Sequence, residues 1–332
     1  MGCRGLSLMS GGLDSQLAVR VLQRAGAEVE AVCFSTPFFD CTAARTAAAA
    51  LGVRLHVVDF TADEIALVEN PPHGFGGAMN PCIDCHAAMI RRAGELMARL
   101  GLDFVATGEV VGQRPMSQNR QSLGIVEKCS GLKGRLVRPL SAQLLEPTVP
   151  ELEGRLDRGR LLDISGRARD RQIALAAEFG IVDYPSPAGG CKLTEAGFGR
   201  KLRDLRDHEG LGDRRLVELL LVARRVRLPG GSGVVLGRDR GENLRLREFF
   251  AGSSGAAGAL LAPVNVPGPT AFVPALAESD LPAACALVAA YSRADRLDGD
   301  VSVAVRRPDG RDALVAVPRP YVRDPFKEFQ IC

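Results

Sequence analysis

The stretch "LSLMSGGLDSQLAV" (residues 6–19) sets a short apolar run, a Ser-Gly-Gly-Leu-Asp-Ser loop and an amphipathic run in immediate succession. That order reads as strand, loop and helix, and it opens a repeating pattern. β-rich runs at Gly5–Met9, Glu28–Phe34, Arg54–Phe60 and Asp103–Thr107 alternate with helical spacing at Asp14–Ala25, Thr42–Leu51 and Ile83–Leu100. Gly26, Gly52 and Gly101 stand just past the helix ends as C-terminal caps. Strands that alternate with helices make a parallel sheet covered on both faces, so the expected fold is a doubly wound α/β domain.

A less regular region follows, with a further strand expected at Arg135–Pro139 and a helix at Arg167–Phe179 closed by Gly180. The Pro/Gly-rich loop "YPSPAGGCKLTE" (184–195) runs into a helical pair that reaches about Arg225. Beyond it, "RRVRLPGGSGVVLGRD" and "DVSVAVRRPDGRDALVAVPRP" read as two β-hairpins, flanking helices at Gly241–Phe250 and Leu281–Tyr291. "AGSSGAAGA" (251–259) reads as flexible connecting sequence, and no repeat of solenoid period is present. The expected organisation is an α/β domain over 1–205, a helical connector over 206–224 and a smaller α+β domain over 225–332.

An apolar fraction of 46 % and a charged fraction of 24 % are those of an ordinary globular chain. No apolar run approaches the roughly 18 residues of a membrane span, and no signal-like segment precedes the first strand, so the expectation is a cytoplasmic protein without a membrane partner. The net charge of +3 is too small to imply a nucleic-acid partner by itself. The basic residues are unevenly placed, however: Arg200 to Arg227 holds nine Arg or Lys against five acids, either a phosphate-facing patch or solvated helix faces. Nine cysteines in such a chain point away from a disulfide framework and towards metal or redox sites among buried bystanders.

A loop that leaves a parallel strand and opens a helix lies in the crevice where open α/β sheets bind ligands. Gly11 and Gly12 let its backbone approach an anion, and Ser10 and Ser15 add hydroxyl donors. Asp14 would repel a phosphate unless a cation bridges them, which Mg²⁺ shared with a nucleotide does. A turn with an N-capping side chain is the simpler alternative. Neither the Gly-Lys-Ser/Thr of a P-loop NTPase nor the spaced glycines of a dinucleotide fold are present.

Cys82 and Cys85 sit in "NPCIDCH" at the start of a helix, where a Cys-x-x-Cys pair can chelate a metal, form a disulfide or carry a persulfide. Zinc needs four ligands; His86 can be one, but no second Cys-x-x-Cys is available. Cys191, in "PAGGCKLTE", also precedes a helix, beside glycines that admit a substrate and Lys192, which favours a thiolate. Three cysteines leave one iron of a 4Fe-4S cluster open to exogenous sulfide. Cys3, Cys33, Cys129, Cys285 and Cys332 read as packing or surface residues, and Cys41, after the second strand, stands near the nucleotide side.

The SGGxDS string in this context resembles the pyrophosphate loop of the PP-loop ATP pyrophosphatases, of adenine nucleotide alpha hydrolase-like fold. "TGEVVGQRPMSQ" (107–118) with "VRPLSA" (137–142) is similar to the tRNA 4-thiouridine synthetases, and "NPCIDC" and "AGGCKLT" are similar to the cysteine segments of the tRNA-uridine 2-thiolases. The resemblance covers residues 5 to 205. It implies an ATP-dependent sulfurtransferase that adenylates a carbonyl oxygen of a tRNA base and replaces it with sulfur. Ser10, Gly11, Gly12, Leu13, Asp14 and Ser15 would bind ATP phosphates and Mg²⁺, with Phe34, Thr107, Gly108 and Gln113 near the nucleotide or base. Cys82, Cys85 and Cys191 would hold a 4Fe-4S cluster, or Cys82 and Cys191 would act as a persulfide pair, with sulfide or a persulfide carrier as donor. The 4-thiouridine synthetases usually carry an RNA-binding region ahead of this domain, whereas nine residues precede Ser10 here, so the tRNA expectation rests on family alone.

"RLPGGSGVVLGRDRGEN" (227–243) resembles the start of the RNA-binding domain of ribosome-rescue proteins of the fibronectin-binding-like family. That resemblance makes Arg238, Arg240, Arg245 and Arg247 candidate phosphate contacts. A dimerising or purely structural module is the alternative, so a homodimer belongs among the expected assemblies. Two other functions stay open: a PP-loop enzyme with a small-molecule acceptor, and an RNA- or ribosome-binding protein whose domain senses ATP.

Overall fold

Residues Cys3–Leu8 form a strand whose Gly5, Leu6 and Ser7 are enclosed on both sides, the environment of a central parallel strand rather than an edge. A computed structural model of the chain describes residues 2–186, 191–252, 258–294 and 297–331. The strand is β1, and it leads through α1 (Leu13–Arg24) to β2 (Ala27–Ser35), α2 (Thr42–Leu51) and β3 (Leu55–Asp59). Next come α3 (Thr61–Glu69), α4 (Cys82–Leu100), β4 (Phe104–Ala106), α5 (Arg120–Ser130), β5 (Leu136–Val137), α6 (Val149–Leu152) and α7 (Asp170–Glu178). The five strands pair in parallel in the order β3-β2-β1-β4-β5, which is the expected doubly wound α/β sheet.

That order places the topological switch between β1 and β4, so the loops after these two strands open into one crevice. Apolar side chains of α1 fill one face of the sheet, Leu17, Val21 and Leu22 packing with Phe104 and Val137. On the other face α4 lays Cys85, Ala88 and Ile90 against Leu6, Val32 and Val105. Gly52 and Gly101 take left-handed caps as expected from sequence. The fourth and fifth strands are shorter than their apolar runs, since Phe104–Ala106 and Leu136–Val137 alone find ladder partners. α3 and α5 add to the expected elements: α3 follows its strand with no turn residue to announce it, and α5 is started by Asn119, whose side chain caps Ser122 N–H.

The chain divides into two compact units after Thr194. The segment expected as a connector therefore belongs to the second unit, together with α8 (Ala196–His208) and α9 (Arg214–Val222). β6 (Arg224–Arg227), β7 (Gly233–Leu236), α10 (Arg240–Ala251), β8 (Ala259–Pro263), β9 (Ala271–Val273) and α11 (Leu281–Ala290) follow. β10 (Val301–Arg306), β11 (Ala313–Val317), α12 (Asp324–Lys327) and β12 (Gln330–Ile331) complete the unit. Its sheet is antiparallel, in the order β11-β10-β8-β9-β7-β6-β12, so the small α+β reading holds. Both expected hairpins are present as β6–β7 and β10–β11. β8 and β9 join them into one sheet; residues 253–257 of the expected flexible stretch lie outside the described residues.

Two arginines of the basic run between Arg200 and Arg227 turn inward, while Arg200, Arg203, Arg214 and Arg215 are exposed. Arg225 is fully buried and meets Asp204 (2.8 Å) and Glu209, while Arg227 reaches the same two carboxylates at 2.6 and 2.8 Å. These two arginines are structural ion pairs, a role that composition cannot tell from a phosphate patch. No described helix is long and apolar enough to cross a membrane.

Candidate active site

Gly11, at φ +82°, turns the chain out of β1, and a Cβ there would sit 2.4 Å from the Ala43 backbone. Gly12 is the extended N-cap of α1 and offers no capping side chain, so the first-turn N–H groups are left to the loop and to whatever it binds. The Ser10 hydroxyl lies 3.4 Å from both the Gly12 N–H and the Ser15 hydroxyl, and Ser15 donates to the Gly12 carbonyl at 2.8 Å. From the switch-point neighbour, Gly108 closes on the first turn of α1; a Cβ there would fall 2.6 Å from the Asp14 backbone.

Asp14 is held but not satisfied. Gln113 donates to its Oδ2 at 2.8 Å and Arg169 approaches that oxygen at 3.7 Å, while Oδ1 is buried without a partner. Gln172 in turn donates to Gln113 at 3.3 Å, and the Arg169 Nε and Gln172 Oε1 are also buried and unpaired. Unpaired buried polar atoms are costly, and three from one cluster mark a place where a ligand supplies the partners. A free carboxylate oxygen beside backbone N–H groups is the donor set that a Mg²⁺ ion shared with a phosphate takes.

Thr107, at the end of β4, donates to Glu109 at 3.0 Å. Glu109 also receives His86 at 3.1 Å and Arg138 at 2.9 Å, and Arg138 reaches on to Glu127 at 3.1 Å. Burial by itself would raise the Glu109 carboxyl, but the Arg138 guanidinium and the His86 hydrogen bond hold it down at about 2. The "VRPLSA" segment thus contributes a buried ion pair behind the loop.

The cysteines occupy the start of α4 and the segment before α8. The Cys85 thiol donates to the buried Glu64 carboxylate of α3 at 2.9 Å, and Asn80 donates to Cys82 Sγ at 3.1 Å. Burial, followed by the Glu64 charge, pushes the Cys85 thiol well above its ordinary value. Cys191 is pushed up to about 12, by burial first, and it senses Glu64 and Cys82. The thiolate expected of Cys191 beside Lys192 is therefore overridden: desolvation outweighs a neighbouring cation, and burial favours the protonated thiol at Cys85 as well. Glu64 is raised for the same reason, burial, against the Cys85 hydrogen bond that lowers it. The three thiols lie near enough to feel one another's charge and are the soft donors an iron-sulfur cluster takes, although among the described residues no three His, Cys, Asp or Glu side chains close on one point as metal ligands do.

Residues 2–143 match the family model described as thiamine biosynthesis protein (ThiI). Over these residues, less than half of the chain, the protein is similar to that family. A probable tRNA sulfurtransferase of Caldanaerobacter subterraneus is 32 % identical over 40 % of this chain and 35 % of its own length. A tRNA-specific 2-thiouridylase MnmA of Roseiflexus is 27 % identical over 60 % of each chain. The chain thus spans between about a third and three fifths of these two curated relatives. A solved 4-thiouridine synthetase–RNA complex with bound ATP is similar at a TM-score of 0.38 and 20 % identity, over 65 % of this chain and 52 % of that one.

Ser10, Gly11, Gly12, Asp14, Ser15, Gly108 and Gln113 meet at one crevice, and Thr107 is tied to the buried Glu109 network beside it. Leu13 is a core residue at 1 % exposure, so its share is backbone alone. Phe34 is 4 % exposed and packs edge-on against Phe60, which puts its ring in the core under α4. Cys33 and Cys41 are disulfide-bonded, so neither is the lone packing or nucleotide-side residue expected. Their spacing of eight residues across the end of β2 carries no sequence signature of pairing. The glycines before Cys191, and Cys332, lie outside the described residues. Sequence reasoning missed Arg169, Gln172, Glu64 and Glu109. Arg169 and Gln172 lie in a run read only as the opening of a helix, and the Glu of "TGE" signals burial only once Arg138 is seen beside it.

Proposed function

We propose that the chain is an ATP-dependent tRNA sulfurtransferase. The observation that carries this reading is the unsatisfied Asp14 carboxylate at a glycine-turned helix start, in one compact unit with three neighbouring thiols. ATP would lie with its phosphates on the Ser10–Ser15 loop, and Mg²⁺ on Asp14 Oδ1 would offset the negative charge. The carbonyl oxygen of a tRNA base attacks the α-phosphorus, the bond to the β-phosphate breaks, and pyrophosphate leaves into the loop. A sulfur nucleophile then adds to the activated carbon and AMP departs with the original oxygen. Arg169 and the α1 N–H groups stabilise the phosphate charge, and Gln113 orients Asp14.

Sulfur comes from sulfide or a persulfide carrier. Cys82, Cys85 and Cys191 would hold a 4Fe-4S cluster, which supplies an open iron for sulfide, or Cys82 and Cys191 would act as a persulfide pair. Iron and acid-labile sulfide measured on anaerobically purified protein, with Cys191→Ala beside it, separate the two. A cluster lost in that variant supports the first, and an iron-free active protein the second.

Mass spectrometry of nucleosides from bulk tRNA, in a strain lacking the gene and its complemented parent, tests the whole reading. One thionucleoside should vanish and return, and Asp14→Asn should fail to restore it, with a loss of at least ~10²-fold in turnover. An unchanged thionucleoside profile would reject tRNA as acceptor and favour a small molecule.

A further inference from the structure

Two adjacent glycines leave the phosphate loop without a steric guide for its peptide planes. The Gly11–Gly12 bond has no Cβ on either side, so its plane can turn over at small cost. In a trans peptide the C=O and the N–H point opposite ways, and a turned plane would present a carbonyl oxygen where an anion needs a donor. Gln16, in the first turn of α1 and 2 % exposed, prevents this. Its side-chain amide donates to the Gly11 carbonyl at 2.8 Å, and its backbone N–H donates to the Gly12 carbonyl at 3.2 Å. With both glycine carbonyls drawn to the α1 side, the N–H groups of Gly12 and Leu13 face the opposite way. There the Gly12 N–H lies 3.4 Å from the Ser10 hydroxyl.

The Gln16 amide is itself held. Its nitrogen also donates to the Asp183 carbonyl at 2.9 Å, 167 positions further along the chain. Two carbonyl oxygens at one end of the amide admit only its NH₂ there, because the amide oxygen in that place would face both with no proton between. The Asp183 carbonyl has a firm support: Ile181 is buried, and Tyr184 packs against the same core on the α1 face of the sheet. Glutamine is mostly exposed in folded chains, and beside Leu17 and Val21 an apolar residue would fill the space as well. What an apolar residue cannot do is grip two distant carbonyls at once.

We propose that Gln16 is a positioning residue of the phosphate loop: it locks the Gly11–Gly12 peptide so that the Gly12 N–H faces a bound pyrophosphate group. This role rests on reading the loop as the pyrophosphate site of ATP, and it adds the side chain that sets the loop before the ligand arrives. A donor already aimed needs no reorganisation when the anion binds or when charge develops on it. Without the Gln16 donor the Gly11 carbonyl is free to turn into the loop, where it repels the phosphate oxygens it meets.

The full chain and its Gln16→Met variant, similar in length and without donor or charge, are titrated calorimetrically with magnesium pyrophosphate and, separately, with adenosine. Pyrophosphate affinity should fall about tenfold or more in the variant, as for a lost hydrogen bond to a charged group, while adenosine affinity changes by less than about twofold. A crevice that had merely loosened would lose both ligands alike. Gln16→Asn keeps the amide but is one methylene too short to span both carbonyls, so it should also lose pyrophosphate and spare adenosine. It decides the matter by the same two titrations if Gln16→Met does not fold. The proposal is overturned by unchanged pyrophosphate affinity in the folded variant, by an equal loss of adenosine, or by a wild type that binds no pyrophosphate. Thionucleoside formation in tRNA is read separately: if the wild type makes none while pyrophosphate binding falls as stated, the sulfurtransferase reading fails and the lock stands.

Discussion

Two buried glutamates flank the start of α4 and are pushed in opposite directions. Glu64 meets a thiol and is raised by burial; Glu109 meets Arg138 and His86 and is held at about 2. Both sit in the same unit, on either side of a helix that carries Cys85 and His86 side by side. Burial penalises both charges alike, so the sign is decided by what each carboxylate faces. The consequence is a divided site: on one side burial raises the Cys85 and Cys191 thiols, and on the other a buried ion pair stands behind the phosphate loop.

The sharpest way to break this comparison is Glu109→Gln. The amide leaves the Arg138 guanidinium buried with only the partly exposed Glu127 as counter-ion, and loss of one partner of a buried pair costs about 3–5 kcal/mol. Thermal or urea unfolding of the variant against wild type at neutral pH measures it. A loss below about 1 kcal/mol would mean that the pair is offset by water and that Glu109 is not ionised in the fold.

Acid supplies the next test, on the unaltered chain. Because the folded-state carboxyl of Glu109 lies below its unfolded value, its contribution is fully present above about pH 4.5 and is lost as pH falls towards 2. The magnitude is on the order of 3 kcal/mol. Stability measured from pH 6 down to 3 should therefore fall more steeply in wild type than in Glu109→Gln. Parallel slopes would assign the acid sensitivity to other carboxylates.

The same contrast explains what was legible in the sequence. Gly11, Gly12 and Asp14 announce themselves because a turn, a close backbone approach and an acid in six residues leave few other uses, and strand-helix alternation places them at a sheet's carboxyl edge. The sheet, both hairpins and the helices that bear Cys82 and Arg240 follow from local pattern. Glu64, Glu109 and Arg169 do not, since each gets its role from residues more than twenty positions away. The inward turn that Arg225 and Arg227 share is visible only once strand register assigns faces, which a count of basic residues cannot do.

Glu64→Gln should have the smallest effect, and its smallness is the point. In reduced, metal-free protein the Cys85 thiol donates to one Glu64 oxygen, while the other is buried without a partner. Burial raises the Glu64 carboxyl, so the buried charge that an amide removes is one the fold already penalises. The glutamine oxygen still accepts from Cys85, and what changes is a second N–H donor placed where no acceptor waits. That costs about 1 kcal/mol, well short of Glu109→Gln. Melting the two variants side by side decides the matter: equal losses would mean that Glu64 is ionised and paired, and the thiol side would then be a charged site like its neighbour.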